Sequence, residues 1–132
     1  MARWLVLGLI AVAAVPMASA QGTTPRATLL QQAQLLKQAK WRAMYATLTP
    51  GFRRACPYAR FVQNSRQTRQ ALGANFQVRN IQVRNETATR AIVAYTFFKD
   101  GRAIARVTLA HRDVYVKLRG RWYDQLDRVS GC

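Results

Sequence analysis

Two periodicities divide the chain. From Ala27 to Leu48, apolar residues recur at helical spacing. Leu29, Leu30, Ala33, Leu36, Trp41, Met44, Tyr45 and Leu48 share one broad face. No Gly or Pro interrupts the run, so it predicts one long helix. Thr24 is its N-cap, Pro25 fits its first turn, and Thr49-Pro50-Gly51 stops it. Lys37 and Lys40 fall on the apolar face and are expected to lay their stems along its edge. "FRRACPY" reads as a connection with room for one helical turn. A second helix is predicted from Ala59 to Leu72, on Phe61, Ser65, Thr68 and Leu72, with Gly73 beyond its end.

After Asn75 the period falls to two. Phe76 and Val78 alternate with polar residues, and Ile81 and Val83 do so on the opposite parity. A bulge near Asn80 reconciles the two halves. "ATRAIVAYTFF" is apolar enough for a central strand, and Asp100-Gly101 is a hairpin signal of the type I′ kind. "AIARVTLAHRDVYVKL" is too long for an ordinary strand, which predicts a bend near Arg112-Asp113. Arg119-Gly120 turns the chain into a last strand, "RWYDQL". Helices followed by strands on short turns predict an α+β domain: two N-terminal helices packed on a four-stranded antiparallel sheet.

The first 20 residues read differently. Arg3, an apolar run from Trp4 to Val15, Pro16 and Ala18-Ser19-Ala20 form a signal-peptide pattern with cleavage expected before Gln21. Residues 21–26 are then a polar leader, and 27–132 one domain. The expected location is periplasmic or secreted, with no membrane span after cleavage. In an oxidising compartment Cys56 and Cys132 can pair, closing a loop of 76 residues worth on the order of 4 kcal/mol. The alternatives are free thiols, or a Cys132 that pairs with another molecule.

Charge is the strongest compositional signal. The chain carries 21 Lys and Arg against 5 Asp and Glu, a formal +16. Such a field attracts polyanions, but without dictating a dedicated partner. Arg79, Arg84, Arg106, Arg112 and Arg121 lie on or beside strands and are expected to share an outer sheet face. Few aromatics accompany them there, which points to electrostatic attraction rather than base readout.

The order of elements, with "WRAMYATLTPGFR" at the first helix end and "VYVKLRGRWYDQL" at the last hairpin, resembles the nuclear transport factor 2-like superfamily, in particular its small exported bacterial members. Tyr45, Leu48, Thr49, Pro50 and Phe52 match the pattern at the helix end. Gly120, Arg121, Trp122 and Tyr123 match the closing hairpin. The resemblance implies a strongly curved sheet forming a cone around the helix, and association through the sheet into a homodimer. A cystatin-like helix on a sheet is the alternative. In such a fold Trp122 covers the open end of the sheet, while Tyr123 points to the other face.

The superfamily holds both enzymes and non-catalytic members, and its enzymes place an Asp or His inside the cone. Here His111 and Asp113, at i and i+2 on a strand, share a face on which Tyr115 and Tyr95 could stand beside them. They are the candidates for isomerase or dehydratase chemistry. Glu86 and Asp100 sit in turns; Asp124 and Asp127, among Arg121 and Arg128, read as solvated ion partners. One His and two distant Cys offer no metal cluster, and no Gly-rich phosphate loop suggests a cofactor. The expectation is a non-catalytic domain whose cone, lined by Trp41, Tyr45, Tyr95 and Phe97, holds a small apolar ligand or is filled core.

Overall fold

The computed structural model describes residues 22–107, 113–126 and 132. They form four helices and five strands: α1 Pro25–Lys37, α2 Trp41–Tyr45, α3 Pro50–Ala55, α4 Tyr58–Leu72, then β1 Gln77–Arg84, β2 Arg90–Lys99, β3 Arg102–Val107, β4 Asp113–Leu118 and β5 Arg121–Leu126. The strands make one open antiparallel sheet in the order β1-β2-β4-β5, with β3 also paired to β2. The class is α+β, as expected, but with four helices rather than two and five strands rather than four. No helix among the described residues is long and apolar enough to cross a membrane.

The first helix starts at its predicted cap, where the Thr24 side chain accepts from the Ala27 N–H. It ends earlier than predicted. Ala39 adopts φ 54°, its N–H reaches Leu36 O at 3.2 Å, and the Lys40 N–H reaches Leu35 O at 2.9 Å. This is a Schellman ending with Ala where Gly is usual, which is why composition did not reveal the break. The apolar stripe therefore divides. Leu29 and Leu36 stay on the face that packs on the sheet, together with buried Thr28 and Gln32. The stripe is rotated toward those two polar residues, so Leu30, expected inside, is 42% exposed. Beyond the break, Trp41 and Met44 pack against the Leu36–Leu72–Phe76 cluster. Lys37 holds its ammonium 5.1 Å from the Phe76 ring centre, a cation–π contact at the edge of the face.

Thr49 caps the short α3 through a bond from the Phe52 N–H, and α4 buries Phe61, Ser65 and Leu72 on the predicted face. Cys56, at the end of α3, is disulfide-bonded to Cys132 with their Cα atoms 5.4 Å apart. The bridge lies in a cluster with Leu48, Phe52 and Phe61.

In the sheet, the bulge expected near Asn80 is present. Asn80 has φ 56° and the β1–β2 register breaks between Arg79 and Gln82. One extra residue turns Val78, Ile81 and Val83 toward the same core. Both tight turns take positive φ at both central positions, at Asp100-Gly101 and at Arg119-Gly120, which matches the right-handed strand twist. The long stretch after Gly101 splits into β3 and β4, which pair with successive halves of β2. From the Tyr95–Val107 pair to the Val93–Asp113 pair, β2 covers two residues and the opposite chain six. The bend expected near Arg112-Asp113 falls at residues 108–112, which lie outside the described ones.

The free side of β5 is covered by backbone from the N-terminal half. Trp122 N donates to Gly22 O at 2.9 Å, Asp124 N to Thr47 O at 2.9 Å, and Thr49 N to Asp124 O at 3.0 Å. Gly22 is therefore packed against β5. Gly22 has φ +71°, and a Cβ there would come within 3.3 Å of Trp122 O.

Candidate functional site

Strand parity selects the residues that face α1. On β2 these are Ala91, Val93, Tyr95 and Phe97; on β4, Asp113 and Tyr115; on β5, Trp122 and Asp124. Three of the eight carry polar groups other than the Trp ring nitrogen on the adjacent strands β4 and β5, and all three are buried. Tyr115 is 0% exposed, Asp113 6% and Asp124 5%. Tyr95 completes the group from β2.

Burial of four such groups requires partners, and α1 supplies one. The Tyr115 hydroxyl donates to Gln32 Oε1 at 2.6 Å, with Asp124 beside it. Gln32 Nε2 donates to Thr47 Oγ1 at 3.0 Å and to Asp124 Oδ2 at 3.3 Å. The Thr47 hydroxyl then donates to Met44 O at 2.6 Å. The Tyr95 hydroxyl lies beside the Asp113 carboxylate. Burial raises the pKa of both tyrosines well above the usual phenol value, and the negative charges of Asp113 and Asp124 raise them further. Both phenols stay protonated donors throughout the physiological range.

This network forms one end of a cavity of about 200 Å³. Leu29, Gln32, Ala33 and Leu36 of α1 form one wall. Val78, Tyr95 and Phe97 of the sheet face them. Met44, Leu48 and Phe61 close a third side, and Asp124 lies at the polar end. Thr68, exposed on α4, also borders it.

Of the four aromatic residues expected to line a pocket, Tyr95 and Phe97 do so. Trp41 packs in the neighbouring cluster under α4. Tyr45 is turned toward the disulfide region. Its hydroxyl donates to Arg53 O at 2.7 Å and Cys56 O at 2.6 Å, and its ring meets Tyr58 and Phe61. The break after α1 is the cause, because it swings Trp41 and Tyr45 away from the sheet.

Asp113 faces the helix with Tyr95 and Tyr115 nearby. His111 lies outside the described residues. Asp124 corrects the expectation of a solvated ion partner: β5 alternation places it on the side of Trp122, away from Arg121. Its spacing from Trp122 was the signal, and it outweighs the nearby arginines. Gln32 could have been found as a polar residue between Leu29 and Leu36 on the inward stripe. Trp122, 5% exposed, packs against Leu29, Ala91, Val93 and Tyr115, so its ring is core.

The outer sheet face carries the arginines. Arg79 and Arg106 flank Thr96 in one rank of paired residues, Arg84 stands beside Ile92, and Arg121 beside Leu118. All four are exposed. Arg79 places its guanidinium 5.2 Å from the Phe98 ring centre. Arg112 lies outside the described residues. Among the described residues no group of three or more His, Cys, Asp or Glu could hold a metal ion. No protein-family model matches the chain, and no curated protein matches it.

Proposed function

We propose that the chain is an exported, nuclear transport factor 2-like binding domain, without catalytic activity of its own, that holds a small apolar molecule between α1 and the sheet. The observation that carries this reading is the cavity of about 200 Å³, apolar on three sides and polar at one end. Ligand sites combine a largely apolar lining with a few placed polar groups. The helix laid across an antiparallel sheet, the closing Trp122 and the signal-like first 20 residues agree with this assignment. Pairing through the outer sheet face into a homodimer belongs to the same proposal. The test is native mass spectrometry of the protein purified from its own host. The expected spectrum retains a small molecule of a few hundred daltons, and Ala33→Phe, which fills the cavity, removes it while keeping the urea midpoint. A bare protein, unaltered by Ala33→Phe, would sink the reading.

A second reading is supported by Asp113, a buried carboxylate beside Tyr95. In this reading Asp113, with His111, acts as the base of an isomerase or dehydratase. It expects Asp113→Asn and His111→Ala each to abolish a turnover on cavity-sized carbonyl or hydroxy compounds, at an unchanged urea midpoint. A large stability loss with no turnover to lose would return Asp113 to a structural role. The outer arginines support only salt-sensitive attraction to polyanions.

A further inference from the structure

The polar end of the cavity is bonded within itself. Tyr115 donates to Gln32 Oε1, Gln32 to Thr47 and Asp124, and Thr47 to Met44 O. A guest's polar group finds its partners elsewhere, and the Ala33–Val78 side of the cavity offers them. An open groove of about 320 Å³ runs there between α1 and β1, bordered by Leu30 and Lys37 of the helix and by Gln77 and Arg79 of the strand. Ala33 and Val78 border both spaces, so cavity and groove meet at these two residues. The groove is amphiphilic. Leu30, 42% exposed, gives it an apolar flank. Lys37 and Arg79 give it two positive charges, and none of its lining residues is acidic. The Lys37 ammonium stands 5.1 Å from the Phe76 ring centre, and that ring meets Phe97, which lines the cavity, with centroids 5.6 Å apart. The charge is thus held two ring contacts from the apolar space. Gln77 Oε1 accepts from Arg79, so the Gln77 amide has only hydrogens to offer a guest.

Resting on the reading of the cavity as a ligand site, we propose that its occupant is a medium-chain alkyl carboxylate, with its tail in the cavity among Leu36, Phe61 and Phe97 and its head at Lys37 in the groove. The chain passes between Ala33 and Val78 and covers Leu30. A groove with two cations and no acid selects an oxyanion over an amine or an alcohol, because hydrogen bonds between ionised partners are the stronger ones. The formal net charge of +16 acts in the same direction, since it draws anions to the surface. The groove is open to water, which screens the pair, so the charge adds a moderate preference and the tail supplies most of the affinity. Size sets the length of the tail. An apolar cavity of about 150 Å³ takes the six carbons of benzene, so one of about 200 Å³ takes about eight.

The experiment is calorimetric titration of the full chain at neutral pH with three probes of one tail length: octanoate, 1-octanol and octylamine. Octanoate is expected to bind about tenfold tighter than 1-octanol, and octylamine more weakly than either. Lys37→Gln is expected to bring octanoate down to the octanol value and to leave octanol unchanged. Ala33→Phe, which fills the cavity where it meets the groove, is expected to remove both. Equal binding of octanoate and 1-octanol to the unaltered protein, or tighter binding of octylamine, overturns the carboxylate assignment and leaves the ligand site standing. Failure of all three at roughly millimolar concentration overturns the ligand site itself. An octanoate preference that persists in Lys37→Gln overturns the placement of the head and moves it to the outer arginines. The comparison on the unaltered chain decides the ligand class even where a variant does not fold.

Discussion

Above about pH 10 the folded chain is expected to lose stability steeply, by up to about 2.7 kcal/mol per pH unit. Tyr95 and Tyr115 are the source. In the folded state both hydroxyls have pKa values raised well above the usual one, by burial first and by Asp113 and Asp124 next. In the unfolded chain both titrate near the ordinary phenol value of about 10. Below that pH both states hold both protons, and the stabilisation is fully present. Above it the unfolded state sheds protons that the folded state keeps, so the equilibrium shifts toward unfolding until the folded pKa values are passed. Each tyrosine contributes about 1.4 kcal/mol per pH unit. Urea midpoints measured from about pH 8 to 11 test the slope, and tyrosinate absorbance shows whether two of the five tyrosines ionise only on unfolding. Tyr115→Phe should halve the slope. An unchanged slope in both Tyr115→Phe and Tyr95→Phe would place its cause elsewhere.

Opening the Cys56–Cys132 bridge is expected to cost about 4 kcal/mol. The bridge spans a sequence separation of 76 residues, and in the chain-entropy account a loop of that length strongly restricts the unfolded ensemble. Native domains are stable by only about 5–15 kcal/mol, so the loss is a large share of the total. Cys132→Ser is the better variant, because Cys56 is fully buried beside Phe52 and Phe61 and its replacement would disturb packing as well. The expected result is a lowered urea midpoint that reductant no longer shifts. A cost under about 1 kcal/mol would mean that the end of the chain is held chiefly by packing.

The strands were more legible than the helices, for a physical reason. Sheet turns announce themselves chemically: Asp100-Gly101 and Arg119-Gly120 sit where the hairpins turn. The parity change across Asn80 exposed a bulge that the register contains. The end of α1 carried no such mark, since Ala39 takes a conformation usually left to Gly. One unbroken helix would put Trp41 and Tyr45 in the cone, whereas the break hands them to α4 and the disulfide region. The site was legible in half. Tyr95, Phe97, Asp113 and Tyr115 follow from strand alternation. Asp124 was obscured by neighbouring arginines, and Gln32 by its polar character, although both lie on inward positions once the period is followed strictly.

The covering of β5 by backbone from Gly22 and Thr47–Thr49 sets a condition on the order of folding. The bonds that tie α1 to the last two strands join residues 83 to 94 positions apart in the chain. Contacts of such long range form slowly, because loop closure must precede them. Until β5 is in place, Thr28 lacks its Trp122 acceptor and Gln32 lacks Asp124. The polar end of the cavity is therefore expected to assemble late in folding rather than to be templated early. A chain shortened before Arg121 is expected to keep helical segments and the β1–β2–β3 meander without ever forming the site.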